Sequence, residues 1–194
     1  MKRTTLSLVL VLLVALPLSA SQFVNLPFDE VARGAKLIVR AQVVDTWSAW
    51  DDSREVIYTY ATLRVTRYFG ETTGPDTLVV REVGGSVDGY TQEAIGFPEL
   101  RRGERVVLML AEEGADFRIH AYNQGKFLIQ HRDGVEMLVS DPVKQGEQRH
   151  ERRFSIADNA ADAGPALTLD EFERMVEDAR AGVTDRAPLR QQQQ

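Results

Sequence analysis

The chain has 194 residues, no cysteine, and 23 basic against 29 acidic side chains, which gives a net charge of −6 at neutral pH. The lack of cysteine excludes disulfide bonds, thiol nucleophiles and thiolate metal ligands, so a hydrophobic core must supply the stability. The acidic balance argues against nucleic acid as a partner, and no cofactor is expected.

The first residues have the pattern of a cleavable secretory signal. Met1–Thr5 is short and cationic, Leu6–Leu18 is apolar, and small residues follow. This pattern predicts a signal peptide over residues 1–20, cleaved after Ala20 or Ser21, and export to the periplasm or the medium. The alternative is an N-terminal anchor that stays in the membrane, but the apolar run is short for a bilayer. Contact with the membrane is therefore expected to be transient.

Residues 21–142 are expected to form one β domain. A short helical turn is predicted at Phe28–Arg33, and 83–98 is expected to be the longest loop. The second strand, Val56 to Phe69, is expected to be long, bent and partly covered on each side, with Arg67 on the same face as Val65. Asp133-Gly134 has the composition of a hairpin turn. The strands are predicted at 37–44 with Trp47 and Trp50 at its end, 56–69, 77–82, 105–110, 117–120, 125–129 and 135–139. Short strands at this spacing predict a mainly β fold, as a small antiparallel barrel or sandwich.

The last fifty residues change in character. Residues 143–166 are polar and rich in small side chains, as in a linker. A helix is predicted over 167–182, with Thr168 as its N-cap and Glu171 as the partner in a capping box. The tail, 183–194, is expected to be disordered.

Four segments have the order of strands of a known module: Ala35–Val44, the strand that ends in Arg67–Gly70, Thr77–Arg81, and Gly103–Leu110. Together they resemble the netrin-like module of the tissue inhibitors of metalloproteinases. The resemblance implies a small antiparallel barrel of the oligonucleotide/oligosaccharide-binding (OB) type, with five to seven strands, followed here by one C-terminal helix. Those inhibitors chelate zinc through an N-terminal cysteine, so inhibition by that route is not expected of this cysteine-free chain.

The chain is also similar to secreted bacterial proteins that share three short landmarks. These are Gly84-Gly85, Gly96-Phe97-Pro98 and Gln124-Gly125-Lys126-Phe127. This similarity agrees with export but implies no particular chemistry.

No catalytic or metal-binding motif is apparent. The three histidines, His120, His131 and His150, have no second histidine at the spacing of a helical zinc site and are expected to be solvated. The stretch Asp158–Leu169 lacks the glycine and the final carboxylate of a calcium-binding loop. No metal is therefore expected.

Aromatic side chains and glycines supply the candidate binding residues. If the first two strands pair across the Asp51–Arg54 turn, four aromatic residues are expected to share a rim or a face of the sheet. The commoner role of such residues is a core plug and a hairpin brace. Three more candidates lie in the 83–98 loop. The complete set is Trp47, Trp50, Tyr58, Tyr60, Gly84, Gly85 and Tyr90.

These features favour a secreted, non-enzymatic binding module that engages a protein or a glycan. A hydrolase or metal-dependent enzyme assembled from His120, His131, Glu93 and Asp88 is an alternative. A second alternative is an envelope structural subunit, which would associate through the helix at 168–180.

Overall fold

A computed structural model describes residues 26–70, 72–114, 116–141 and 166–183. The predicted signal peptide, nearly all of the predicted linker, most of the predicted tail and His150 lie outside the described residues. Within the described ranges, no helix is long and apolar enough to cross a membrane.

The described chain consists mainly of β-strands, as predicted, and it ends in a helix. A short 3-10 helix lies at Tyr122–Gly125. The helices and strands follow in the order α1 (Phe28–Gly34), β1 (Leu37–Trp50), β2 (Ile57–Tyr68), β3 (Thr77–Val83), β4 (Gly85–Val87), β5 (Tyr90–Gln92), β6 (Arg105–Glu113), β7 (Asp116–Ile119), β8 (Lys126–Arg132), β9 (Val135–Ser140), β10 (Leu167–Thr168) and α2 (Leu169–Arg180).

Eight of these strands form one sheet in the order β1-β2-β3-β7-β6-β8-β9-β10, and β1 also pairs with β6. The pairings are antiparallel except for β3 with β7, which run parallel and meet at Val80 and Phe117. Starting from β1, the pairings therefore run through β2, β3, β7 and β6 and return to β1.

The predicted loop at 83–98 is not without structure, because β4 and β5 form a small hairpin within it. Asp88 and Gly89 make the two-residue turn, with φ angles of 52° and 83°. Both strands are only three residues long, too short for an alternating pattern to be seen in the sequence. With this hairpin and the two-residue β10, the described strands number ten, more than the five to seven expected.

The two faces of the large sheet carry separate hydrophobic cores. We call the face that packs against the helices the outer face, and the opposite face the inner face. The inner core consists of Leu37, Val39, Ala41, Val43, Ala61, Leu63, Val65, Leu78, Val80, Leu100, Val106, Leu108, Leu110 and Ile119. The outer core consists of Val31, Ala32, Ala35, Ile38, Phe69, Val107, Met109, Phe127, Leu138, Phe172, Val176 and Ala179.

A β-bulge in β1 turns the end of that strand over. Val44 is an extra residue between two positions that pair with β2. Without it, strict alternation would turn Trp47 to the inner face with Val43. Because of the bulge, Trp47 lies on the outer face, opposite Tyr60.

A second bulge does the same in β2. Thr66 is the extra residue, and its hydroxyl donates a hydrogen bond to the carbonyl of Arg40 at 3.2 Å. Beyond it, Arg67 lies opposite Arg40, Tyr68 packs against the inner core, and Phe69 is buried in the outer core. The expectation that Arg67 shares a face with Val65 is therefore wrong, because Thr66 reverses the parity.

Helix α2 packs against the outer face of the sheet and begins as predicted. The Thr168 hydroxyl accepts a hydrogen bond from the Glu171 amide at 3.2 Å, and the Glu171 carboxylate accepts one from the Thr168 amide at 2.8 Å. The helix contributes Phe172, whose ring centre lies 5.2 to 5.6 Å from those of three other phenylalanines: Phe28, Phe69 and Phe127.

Phe172→Ala tests whether this ring cluster holds α2 on the sheet. Because the ring is fully buried and touches three others, we expect the free energy of unfolding to fall by about 3–5 kcal/mol. Urea denaturation measures the loss. Ile95→Ala is the control, because Ile95 is 61% exposed and its truncation should change stability by less than about 0.5 kcal/mol. Equal effects of the two substitutions would contradict the packing.

Candidate binding surface

Three strands bring an aromatic group together on the outer face. Trp47 of β1 lies opposite Tyr60 of β2, and their rings stack with centres 5.3 Å apart and planes 9° from parallel. Tyr60 in turn lies opposite Arg81 of β3. We call Trp47, Tyr58, Tyr60 and Arg81 the aromatic ladder.

Arg81 fixes the far side of the ladder. Its guanidinium lies 4.6 Å from the ring centre of Tyr58 and 3.2 Å from the carboxylate of Asp116 on β7. Partial burial lowers the pKa of Arg81, but the Tyr60 hydroxyl and Asp116 favour the charged form and raise its pKa overall. A cation on an aromatic face contributes about 0.5–1 kcal/mol at an exposed site. The ladder is therefore braced from one side.

The other side of the ladder is open. Among the described strands, β6 pairs with β1 only from Leu37 to Gln42, so no strand follows β1 on that side at Trp47. The side chain of Trp47 is 43% exposed, which is unusual for a residue of this size. One face of the indole is held by Tyr60, and the residue remains accessible to solvent.

The structure separates Trp50 from the ladder. Trp50 lies opposite Ile57, which is buried, so it has the parity of the inner face. Its ring meets the edge of Tyr90 with centres 5.7 Å apart. Trp47, Tyr58 and Tyr60 thus share a face, whereas Trp50 and Tyr90 join the β4–β5 hairpin to the end of β1.

Gly84 directly precedes this hairpin, and Gly85 is the first residue of its strand β4. Gly85 has a φ of 133°, and a Cβ atom on it would lie 2.4 Å from the hydroxyls of both Ser48 and Thr59. The Thr59 hydroxyl also donates to the carbonyl of Gly84 at 2.7 Å. The two glycines therefore allow the hairpin to approach the inner side of β1 and β2, and nothing in their geometry places them on the ladder.

An open depression lies on the same outer face, nearer to helix α2. Its volume is about 360 Å³, and its lining consists of Arg40, Ala41, Gln42, Thr66, Arg67 and Arg105. We call it the arginine depression. Its lining residues on β1 lie five to seven residues before Trp47, and the far one, Arg40, is roughly 20 Å from it along the strand.

Carboxylates hold the three arginines in place. Glu136 of β9 bridges Arg40, at 2.8 Å, and Arg105, while Glu173 of α2 pairs with Arg67. Partial burial raises the pKa of Glu136, but the Arg105 hydrogen bond and the neighbouring positive charges outweigh it and hold the pKa below its ordinary value. The guanidinium groups are therefore positioned before any ligand arrives.

The histidines lie on different elements. His120 is half buried against Gly34, and burial, followed by the charge of Arg118, lowers its pKa; the expectation that it is solvated is wrong. His131 is exposed and lies 3.4 Å from Glu136. Asp88 lies in the β4–β5 turn. In the part of the chain that the structure describes, no three histidine or carboxylate side chains are grouped to hold a metal ion.

Comparison of the chain with protein-family models, with curated proteins and with solved structures found no match. The functional proposal below therefore rests on the geometry of the surface.

Sequence reasoning missed the arginines of the surface. Arg81 carries a signal that was available, because it falls on the strand that follows two alternating tyrosines. Arg40 and Arg67 carry no such signal: their opposition depends on the Thr66 bulge, which leaves no mark in the pattern of residue types.

Glu82 is a buried acid on the inner face. It is 7% exposed, and its carboxylate accepts a hydrogen bond from the amide of Ile119 at 2.5 Å. Burial raises the pKa of Glu82 to about 8, against the opposing effects of the Ile119 amide and Arg118. The folded protein thus holds a proton at neutral pH that the unfolded chain, with a pKa near 4.5, has released.

Glu82→Gln tests this protonation. Between the unfolded and folded pKa values the native state binds the extra proton, so the contribution of Glu82 to stability falls as pH rises. Relative to the wild type, the variant should gain on the order of 1 kcal/mol per pH unit from about pH 5 to 8. Urea denaturation at several pH values measures the difference. The exposed Glu55→Gln should follow the wild-type profile, and parallel profiles for all three proteins would contradict a buried neutral acid.

Proposed function

We propose that this protein is an exported, non-enzymatic binding module that engages a protein or a glycan through the aromatic ladder. The pattern of residues 1–20 supports export. The cycle of pairings through β1, β2, β3, β7 and β6 supports the view that the strands form an OB-like barrel. In such barrels the face around the second and third strands binds ligands.

The observation that carries the proposal is the exposure of Trp47 on a fixed stack. Tryptophan, tyrosine and arginine are the residues that dominate binding energy at interfaces. Here all three are pre-positioned by cross-strand contacts, so little side-chain freedom is lost when a ligand binds. The indole of Trp47 therefore loses little conformational entropy on binding, and covering it with a ligand removes apolar surface from water.

Trp47→Ala is the test. We expect the variant to remain folded, because Trp47 lies outside both cores, and to bind its ligand about 30-fold more weakly, the equivalent of about 2 kcal/mol. Binding is measured by retention on a panel of soluble and insoluble glycans and by crosslinked capture of extracellular proteins. Tyr122→Ala is the matched control, since Tyr122 is also exposed and meets one other ring, Phe97.

Two results would contradict the proposal. One is that neither panel retains the wild-type protein. The other is that Trp47→Ala and Tyr122→Ala bind equally. If circular dichroism shows that Trp47→Ala is unfolded, the aromatic ladder stabilises the fold and is not a binding surface.

A further inference from the structure

The arginine depression holds more positive charge than its own carboxylates balance. Three guanidinium groups line it, against Glu136 and Glu173. Arg64 lies beside it on β2, opposite Gln42, and has no acidic partner among the described residues. The local positive charge contrasts with the net charge of the whole chain, which is −6.

The pairing of β1 and β2 places two of these positive charges where their repulsion destabilises the sheet. Arg40 and Arg67 lie directly opposite each other, and like charges in that position destabilise a sheet. The Thr66 bulge creates the arrangement, because without it Arg67 would face inward. Glu136 and Glu173 offset only part of the repulsion. An anion bound over the two strands would offset more of it.

The chemistry of the cations selects the kind of anion. The guanidinium of arginine is planar and donates paired hydrogen bonds that match the oxygens of a carboxylate or a phosphate. Gln42 and the Thr66 hydroxyl add neutral polar groups to the same lining. The depression therefore suits an oxyanion, a carboxylate among them, carried on a polar framework.

The depression and the aromatic ladder share one outer face. Both lie along β1, from Arg40 to Trp47, a distance of roughly 20 Å. A ligand that reaches both must be extended, with acidic groups at one end and flat surfaces that can stack at the other. A polymer of uronic acid sugars offers a carboxylate and a flat ring face on every unit.

We propose that the ligand of this module is an acidic polysaccharide, whose carboxylates bind in the arginine depression while a sugar ring stacks on Trp47. This inference rests on the proposed function and narrows it. An acidic peptide would satisfy the arginines but offers no repeated ring for the indole. Binding of the carboxylates by the arginines is non-covalent.

Arg67→Gln tests the inference in the full chain, with polygalacturonate as the probe. We expect binding to weaken by at least about tenfold in isothermal titration calorimetry, because a charged hydrogen bond is lost. Arg33→Gln is the matched control: both arginines are 45% exposed and both pair with one carboxylate, Glu173 or Asp29. Arg64→Gln, which breaks no ion pair with a described residue, should also weaken binding and answers the concern that Arg67→Gln disturbs α2.

The outcomes separate this inference from the proposed function. Absence of binding to polygalacturonate, equal binding by Arg67→Gln and Arg33→Gln, or tighter binding to polyglutamate than to polygalacturonate would each overturn it. If Trp47→Ala loses a neutral glycan or a protein while Arg67→Gln keeps it, the proposed function stands and the acidic ligand is wrong. Binding should also weaken as salt rises, because the arginines are partly exposed.

Discussion

Two extra residues in the β1–β2 pairing determine what the outer face of this protein presents. Val44 turns Trp47 outward, and Thr66 turns Arg67 outward while returning Phe69 to the outer core. A bulge disrupts the hydrogen-bond ladder locally and bends the strand. In return, the same two strands bury one continuous inner core and still display an indole and an arginine on the opposite surface.

The separation of the two cores allows this surface to remain open. The inner core contains no residue of either helix, so it does not depend on covering the outer face. In the part of the chain that the structure describes, the helices cover the apolar end of that face, where Phe172 meets the other phenylalanines, and reach Arg67 through Glu173. From Arg40 onward the outer face carries charged and aromatic side chains, held by Glu136 and by each other. Stability and the proposed binding therefore depend on different parts of the same strands.

Local signals predicted the local structure well. The capping box at Thr168, the Asp133-Gly134 turn and most strands follow from residue type and spacing, because a few neighbouring residues determine them. The face that a residue occupies does not follow in the same way. One extra residue reverses the parity of all that come after it, and neither Val44 nor Thr66 differs from an ordinary strand residue. For this reason the sequence predicted Trp47 and Tyr60 as site candidates but grouped them with Trp50 and did not find Arg40 or Arg67. The buried proton of Glu82 was missed because its burial depends on contacts with β7, distant in sequence.

Mapping of amide chemical shifts during titration with polygalacturonate tests the account most directly, since it reports on every strand at once. The account predicts shifts along one side of the molecule, from Arg40 to Trp47 in β1 and from Tyr60 to Arg67 in β2, with the β4–β5 hairpin unaffected. Shifts confined to the hairpin around Tyr90, or no shifts at all, would contradict it.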